Sequence, residues 1–371
     1  MSDRPSKPVK PMNDHNTNDE LRTLVLDTAG RLFADRVDAD LCEQVEAGEW
    51  PQACWDDIVA MGLPRILLAE EDGGTGLGAA DSLALVERAG YYALPLPLGE
   101  TLVGNHLRSA IGCPVDDAPV ALVSSHDTDG ITLIKSGHGW QLSGRLCRVA
   151  WARFAPALVM DVDTDQGATQ RICLASAGLD WRQDNSLAGE PRDSATLDGL
   201  NLDAGRVAPL GDNALSITHW GALIRALQMA GAARRALELA VEYANDRKQF
   251  GRPIARFQAV QQQLAAMAGH IAVAGAAADA GSRSLGSDSA PLMIAIAKAR
   301  VGEAASQAAA IAHQVTAAMG FTREHSLHNY SRRIWAWRDE HGAEPYWQAE
   351  IGRAALAAGG DGLWPFISER T

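Results

Sequence analysis

The stretch Asp246-Arg247-Lys248-Gln249-Phe250-Gly251-Arg252-Pro253-Ile254-Ala255-Arg256-Phe257-Gln258 decides how this chain is read. Alanine-rich helical sequence leads into it. Glycine and proline interrupt it before helical spacing resumes, so one helix ends, the chain bends, and another begins. Such a bend exposes the ends of both helices. Arg247 can form charge-assisted bonds to a phosphate, Phe250 offers an aromatic wall, and Gln258 presents both a donor and an acceptor. The set suits an anionic dinucleotide. The plainer alternative is that Asp246 and Arg247 solvate an ordinary loop, and these residues taken alone leave both readings open.

Working outward, the sequence is helical on either side. Phe257, Val260, Leu264, Met267, Ile271, Ala274 and Ala278 keep an alternating three-and-four spacing, a stripe that requires a partner helix. Asp288 or Ser289 ahead of Pro291 starts a further helix, with Met293, Ile296, Val301, Ala304, Ala308, Ile311 and Val315 along one face. With the alanine-rich segment from Met229 to Ala244, these predict a C-terminal four-helix bundle over residues 213–371. Between 119 and 212 the texture changes to short β-type runs split by Asp/Gly turns, such as Val120-Ala121-Leu122-Val123 and Ala157-Leu158-Val159-Met160. Residues 19–118 are helical again, broken by the turn Glu71-Asp72-Gly73-Gly74-Thr75-Gly76, and residues 1–18 read as a disordered tail. Strands grouped between two helical regions predict an α+β fold, and no GxGxxG follows a strand as a Rossmann domain would need.

Bulk properties narrow the functional classes. Over 371 residues the composition is 47% hydrophobic and 21% charged, as in globular proteins, and the formal charge of −13 opposes any phosphate-tracking nucleic-acid surface. Any anionic ligand therefore needs local positive charge. Cys42, Cys54, Cys113, Cys147 and Cys173 form no CxxC pair and read as reduced thiols. No uninterrupted 18-residue apolar run and no apolar leader occur, so a cytoplasmic protein without a membrane partner is expected. His325 and His328 lack a third ligand, which argues against a metal, and Trp335, Trp337 and Trp347 read as packing anchors.

Over residues 20–356 the chain resembles the acyl-CoA dehydrogenase family. That family's R-x-x-F-G-x-x-x-x-x-x-Q signature stands here as Arg247, Phe250, Gly251 and Gln258, and its Q-x-x-G-G-x-G-[FY] segment as Gln314-Val315-Thr316-Ala317-Ala318-Met319-Gly320-Phe321. The resemblance implies an N-terminal helical domain, a middle β-domain and a C-terminal bundle. It also implies an FAD-dependent desaturation of a CoA thioester, with an acyl-CoA substrate and electron-transfer flavoprotein or a similar acceptor. Arg247, Gln249, Phe250, Phe257, Gln258, Gln314 and Ala318 would then touch the FAD of a neighbouring subunit.

The same resemblance exposes departures. Ala317 and Ala318 replace two glycines that let backbone approach the cofactor. Val120 to Thr128 carries no T-E-P-x-x-G-S-D loop, and Gly144 to Trp151 replaces the family's flavin shelf. The family's catalytic base stands at one of two places, which correspond here to Gly221 and to the segment Arg338-Asp339-Glu340-His341-Gly342-Ala343-Glu344, where Glu340 is the nearest match. Interface residues are kept while those that cradle the chain's own flavin are lost. The expected protein is therefore a subunit without a base, paired in an α2β2 heterotetramer with a homologous subunit, of a kind that acts on steroid side-chain CoA thioesters. Two alternatives stand beside it: a self-sufficient homo-oligomer using Glu340 or Asp339 as base, and a flavin-free scaffold of the same fold.

Overall fold

The computed structural model describes residues 14–211 and 213–368. Five helices come first: α1 (Asp14–Arg36), α2 (Ala39–Glu46), α3 (Gln52–Ala60), α4 (Ala79–Tyr91) and α5 (Leu98–Ala110). Helix α1 takes in Asp14 to Asn18, which the sequence reading gave to a disordered tail; residues 1–13 lie outside the described residues. Asp38 caps α2 by accepting from the Leu41 amide at 2.8 Å.

Seven strands follow: β1 (Val120–Val123), β2 (Thr128–Ser136), β3 (Gly139–Ala150), β4 (Ala157–Asp163), β5 (Thr169–Ala175), β6 (Arg192–Asp203) and β7 (Val207–Pro209). They form one sheet ordered β1-β4-β5-β7, in which β1 and β4 run parallel, and an antiparallel sheet ordered β2-β3-β6. Leu133, Leu142, Leu146, Leu158, Met160, Ile172 and Leu174 meet between them as a separate core. The register of β3 against β6 shifts between Leu146 and Val149. Arg148 sits in that bulge with φ of 55°, its side chain turned out to Asp184 at 2.8 Å.

The C-terminal region is α6 (Ile217–Asp246), a short hairpin of β8 (Lys248–Gln249) and β9 (Arg252–Pro253), α7 (Gln258–Arg283), α8 (Ala290–Thr316), α9 (Leu327–Asp339) and α10 (Glu344–Ser368). Helices α6, α7 and α8 pack on one another, α9 lies on α6, and α10 lies on α8. Among the described residues this C-terminal helical region holds five α-helices, the segment after Phe321 folding into two of them. Met267, Ala274 and Ala278 of the predicted stripe are buried, while Val260, Leu264 and Ile271 are half-buried. By length and composition α7 is apolar enough to cross a membrane, yet only 22% of its most apolar window is buried, so an apolar face is left outward.

Small residues dock the N-terminal lobe on α6. A Cβ on Gly90 would stand 2.2 Å from the Gln228 carbonyl oxygen, and one on Gly231 would stand 2.0 Å from that of Glu87. Helices α4 and α6 therefore cross at van der Waals contact of their backbones. One core runs through both helical regions, and Trp337 and Trp347 are fully buried in it.

Candidate functional site

Because α6, α7 and α8 run up, down and up, the end of α6, the start of α7 and the end of α8 gather at one end of the bundle. That topology brings the two sequence signatures together. Tyr243, one turn before Arg247, meets His325 with ring centroids 5.9 Å apart.

The bend is a two-residue hairpin. Lys248 pairs with Pro253 and Gln249 with Arg252, leaving Phe250 and Gly251 at the tip with φ of 51° and 77°. Left-handed backbone suits Gly251, but at Phe250 it is strained. Phe250 is 91% exposed, so no burial offsets the strain. Its ring lies edge-on to Phe257 at 6.1 Å, and the Arg252 guanidinium covers the other ring at 4.4 Å. Arg247 closes α6: its amide donates to the Tyr243 carbonyl at 2.9 Å and its carbonyl accepts from Ile254 at 2.8 Å. Its side chain is exposed and joins no ion pair among the described residues. Gln249 and Gln258 are exposed and Phe257 is half-buried.

Gln314 and Ala318 are also exposed. Between them Ala317 has φ of 51° and ψ of −138°, so the backbone keeps a glycine-like conformation although the side chain is a methyl. The turn is pinned from beneath. His313 stacks on Phe321 at 4.1 Å and bonds through Nε2 to the Ser331 hydroxyl at 2.8 Å. A cavity of about 420 Å³ opens nearby between α2 and α9, crossed by Arg323–Glu43 and Arg332–Glu46, and none of the seven predicted cofactor residues lines it.

A different arrangement fills the seam where the three lobes meet. Arg225 of α6 bonds Glu100 of α5 at 2.6 Å and Glu340, just past α9, at 2.7 Å. Arg192 of β6 takes the other Glu340 oxygen at 3.0 Å and reaches Glu190 at 3.2 Å, and Arg333 of α9 holds Glu190 at 3.1 Å. The order is Glu100–Arg225–Glu340–Arg192–Glu190–Arg333. Three carboxylates and three guanidiniums alternate and balance. Burial pushes the Glu340 carboxyl up, but Arg192 and Arg225 outweigh it and bring it down to about 2. Glu340, the base of the self-sufficient alternative, is thus an ionised carboxylate with both oxygens occupied. Asp339, one residue earlier, is exposed.

His341 adjoins it, 5% exposed, with φ of 53° and an Nδ1 that has no hydrogen-bond partner. Burial and Arg225 lower its imidazole to about 3, so it is neutral. Lys298 Nζ donates to the carbonyls of Arg338 at 2.6 Å and Gly342 at 2.8 Å, and Trp347 Nε1 donates to that of His341 at 3.1 Å, so the loop is fixed on both sides. The ring lies against Gly221, where a Cβ would meet its Cγ at 2.4 Å. Asp127, from the segment that lacks the T-E-P motif, has Oδ2 4.0 Å from His341 Nδ1. Both positions implied for a base, and the altered loop, therefore converge here. The sequence reading missed Arg225 and Lys298, although a lone cation inside each of the apolar runs 217–233 and 290–299 signals a buried counter-charge.

Two carboxylates in the seam respond oppositely to pH. Burial raises Asp127 from 3.8 to about 6, against the Ser124 hydrogen bonds, so its stabilising contribution is complete below its unfolded value and lost as pH rises through about 6. Glu340 lies below its ordinary 4.5, so its contribution is complete above that value and lost as pH falls through about 2. Asp127→Asn should therefore raise stability at neutral pH by about 2–3 kcal/mol and leave it unchanged near pH ~4. Urea midpoints across that range measure it, and equal midpoints at neutral pH would refute the assignment.

Two family models match the chain: the acyl-CoA dehydrogenase N-terminal domain over residues 19–110 and the acyl-CoA dehydrogenase C-terminal domain over residues 212–356. Acyl-CoA dehydrogenase IpdE2 of Mycobacterium tuberculosis is 30% identical over 280 residues, covering 74% of this chain and 77% of that protein. The chain belongs to the acyl-CoA dehydrogenase family. Acyl-CoA dehydrogenase FadE27 of the same organism is 28% identical over 304 residues, with 74% and 80% covered. Among solved structures, the Tcur3481–Tcur3483 steroid ACAD superposes with a TM-score of 0.83 at 23% identity, covering 92% of this chain and all of that one. The ChsE4–ChsE5 complex of M. tuberculosis follows at 0.82 and 21%, with 91% and 97% covered. This family fold is an oxidoreductase fold with helical, β and helical regions in that order.

Proposed function

We propose that this acyl-CoA dehydrogenase is the subunit without a catalytic base in a heteromeric enzyme, and that it completes the FAD site of a homologous partner in the α,β-desaturation of a CoA thioester. The observation that carries this reading is the bundle end. An aromatic side chain held in strained backbone and fully in water, beside an unpaired arginine, is what a chain presents to a ligand lying outside itself. Arg247 would hold an anionic phosphate, Phe250 and Phe257 would wall a ring, and Gln249, Gln258 and Gln314 would supply neutral donors and acceptors. Ala318 would face the same ligand through its small side chain. When bound, FAD supplies the acceptor for the hydride that leaves the substrate β-carbon.

The seam supports the other half of the reading. Abstraction of the α-proton needs a carboxylate free to accept it. Glu340 is held by two arginines and is far too weak a base at about 2, which removes the support for a self-sufficient enzyme built on it. A flavin-free scaffold would leave the Phe250 strain without a purpose. The outward apolar face of α7, with Val273 exposed, is a surface for a second subunit. Both solved complexes above pair two differently named chains, and one is a steroid ACAD, so an α2β2 assembly acting on bulky steroid side-chain thioesters is the arrangement proposed. Electron-transfer flavoprotein or a similar acceptor would reoxidise the flavin, in the cytoplasm.

The test is an absorption spectrum. Purified alone, the chain should carry little flavin; co-expressed with its homologous partner, the complex should be yellow and desaturate an acyl-CoA. Stoichiometric FAD on the lone chain would overturn the reading.

A further inference from the structure

We infer that the seam is plugged: His341, locked against Gly221 and backed by the six-charge array, takes the space and the polar partners that a ligand entering between the three lobes would need. The inference deepens the reading above, and rests on it only in treating the seam as the place where this chain's own acyl thioester would enter. Three observations carry it. The array is stoichiometrically closed, since each of the three carboxylates meets a guanidinium from another element and the charges balance. No guanidinium of the array is left over to receive a ligand anion, and the adjoining Lys298 is spent on the carbonyls of Arg338 and Gly342. The His341 ring stands where any side chain at Gly221 would have to be, within 2.4 Å of an ideal Cβ. Finally, the stopper is held from several sides: Trp347 donates to its own carbonyl, Lys298 donates to those of Arg338 and Gly342, and the backbone at His341 is left-handed. Strain that the surroundings enforce marks a conformation that is imposed rather than incidental.

A lost site that had merely decayed would leave a void or an open cleft. Here the space is filled with matched groups, and filling has a sign that can be measured. In the interior of a helix facing open space, glycine to alanine stabilises, because alanine has the higher helix propensity. Against a fixed ring the same methyl overpacks. Gly221→Ala should therefore lower the melting temperature of the lone chain by several degrees, or abolish soluble protein. Gly221→Ala combined with His341→Ala should recover it to at least the level of His341→Ala alone. A Gly221→Ala chain as stable as the wild type, or a double variant no better than Gly221→Ala, would overturn the plug.

Calorimetric titration of the wild-type lone chain with butyryl-CoA is the second measurement. No saturable binding is expected, and uptake of one molecule per chain would also overturn the plug. Failure of the partner reading looks different: flavin would never be gained on co-expression, while Gly221→Ala would still destabilise and His341→Ala would still rescue.

Discussion

Arg225→Met should destabilise the protein by about 3–5 kcal/mol, read from the urea midpoint, and Arg225→Met with Glu100→Gln should regain most of that loss. Arg225 is 1% exposed and bonds Glu100, Glu340 and Gln228 at 2.6, 2.7 and 2.6 Å. Removing the guanidinium does not strand the two carboxylates equally. Glu340 keeps Arg192, whereas Glu100 is buried and its Oε2 already has no partner, so it would be left with no counter-charge at all. An uncompensated buried carboxylate is the expensive species, while an apolar or neutral pair of similar size is not. The double variant therefore separates two accounts of the array. If the cost comes from the orphaned charge, the two substitutions are strongly non-additive; if it comes from the lost contact of the guanidinium over the Trp337 ring at 5.9 Å, their costs simply add. Additivity would mean that the alternating charges do not hold the lobes together.

How much of this was legible beforehand follows from the range of each interaction. The order of helices, strands and helices could be read because burial periodicity is local: the α7 stripe and the buried β1 run are set by residues within a few positions of one another. The bend at Phe250 and Gly251 was legible for the same reason. Its exposure was not, because that depends on what the rest of the bundle leaves uncovered. Glu340 shows the sharper failure. In sequence it is an acidic residue in a loop and a reasonable base; in the structure Arg192 and Arg225, 148 and 115 positions away, fix its charge and occupy both its oxygens. Ala317 fails in the opposite direction. Loss of two glycines put close approach of the backbone to a cofactor in doubt, yet the backbone at Ala317 keeps a positive φ of 51°, beside the stacked His313 and Phe321.

Phe250→Gly should part stability from cofactor retention in opposite directions. At φ of 51° a glycine sits without the steric cost that phenylalanine bears, and a ring 91% exposed gives up almost no burial, so the lone chain should be unchanged or more stable by about 0.5–1 kcal/mol. Arg247→Ala should likewise leave the melting temperature where it is, because the side chain makes no ion pair among the described residues and the α6 cap is carried by backbone groups. In the proposed heteromer, however, losing the charge-assisted bond that Arg247 would make to phosphate should remove about 1.5–3 kcal/mol, a roughly 10–100-fold weaker hold on FAD. The combined variant should copurify with its partner but lose its yellow colour on dilution, and turnover should return when FAD is added in excess. A residue retained for the fold cannot behave this way, since its removal would lower stability and binding together. Undiminished flavin on the double variant would place the cofactor elsewhere and leave the strained, water-facing Phe250 as an accident of the hairpin.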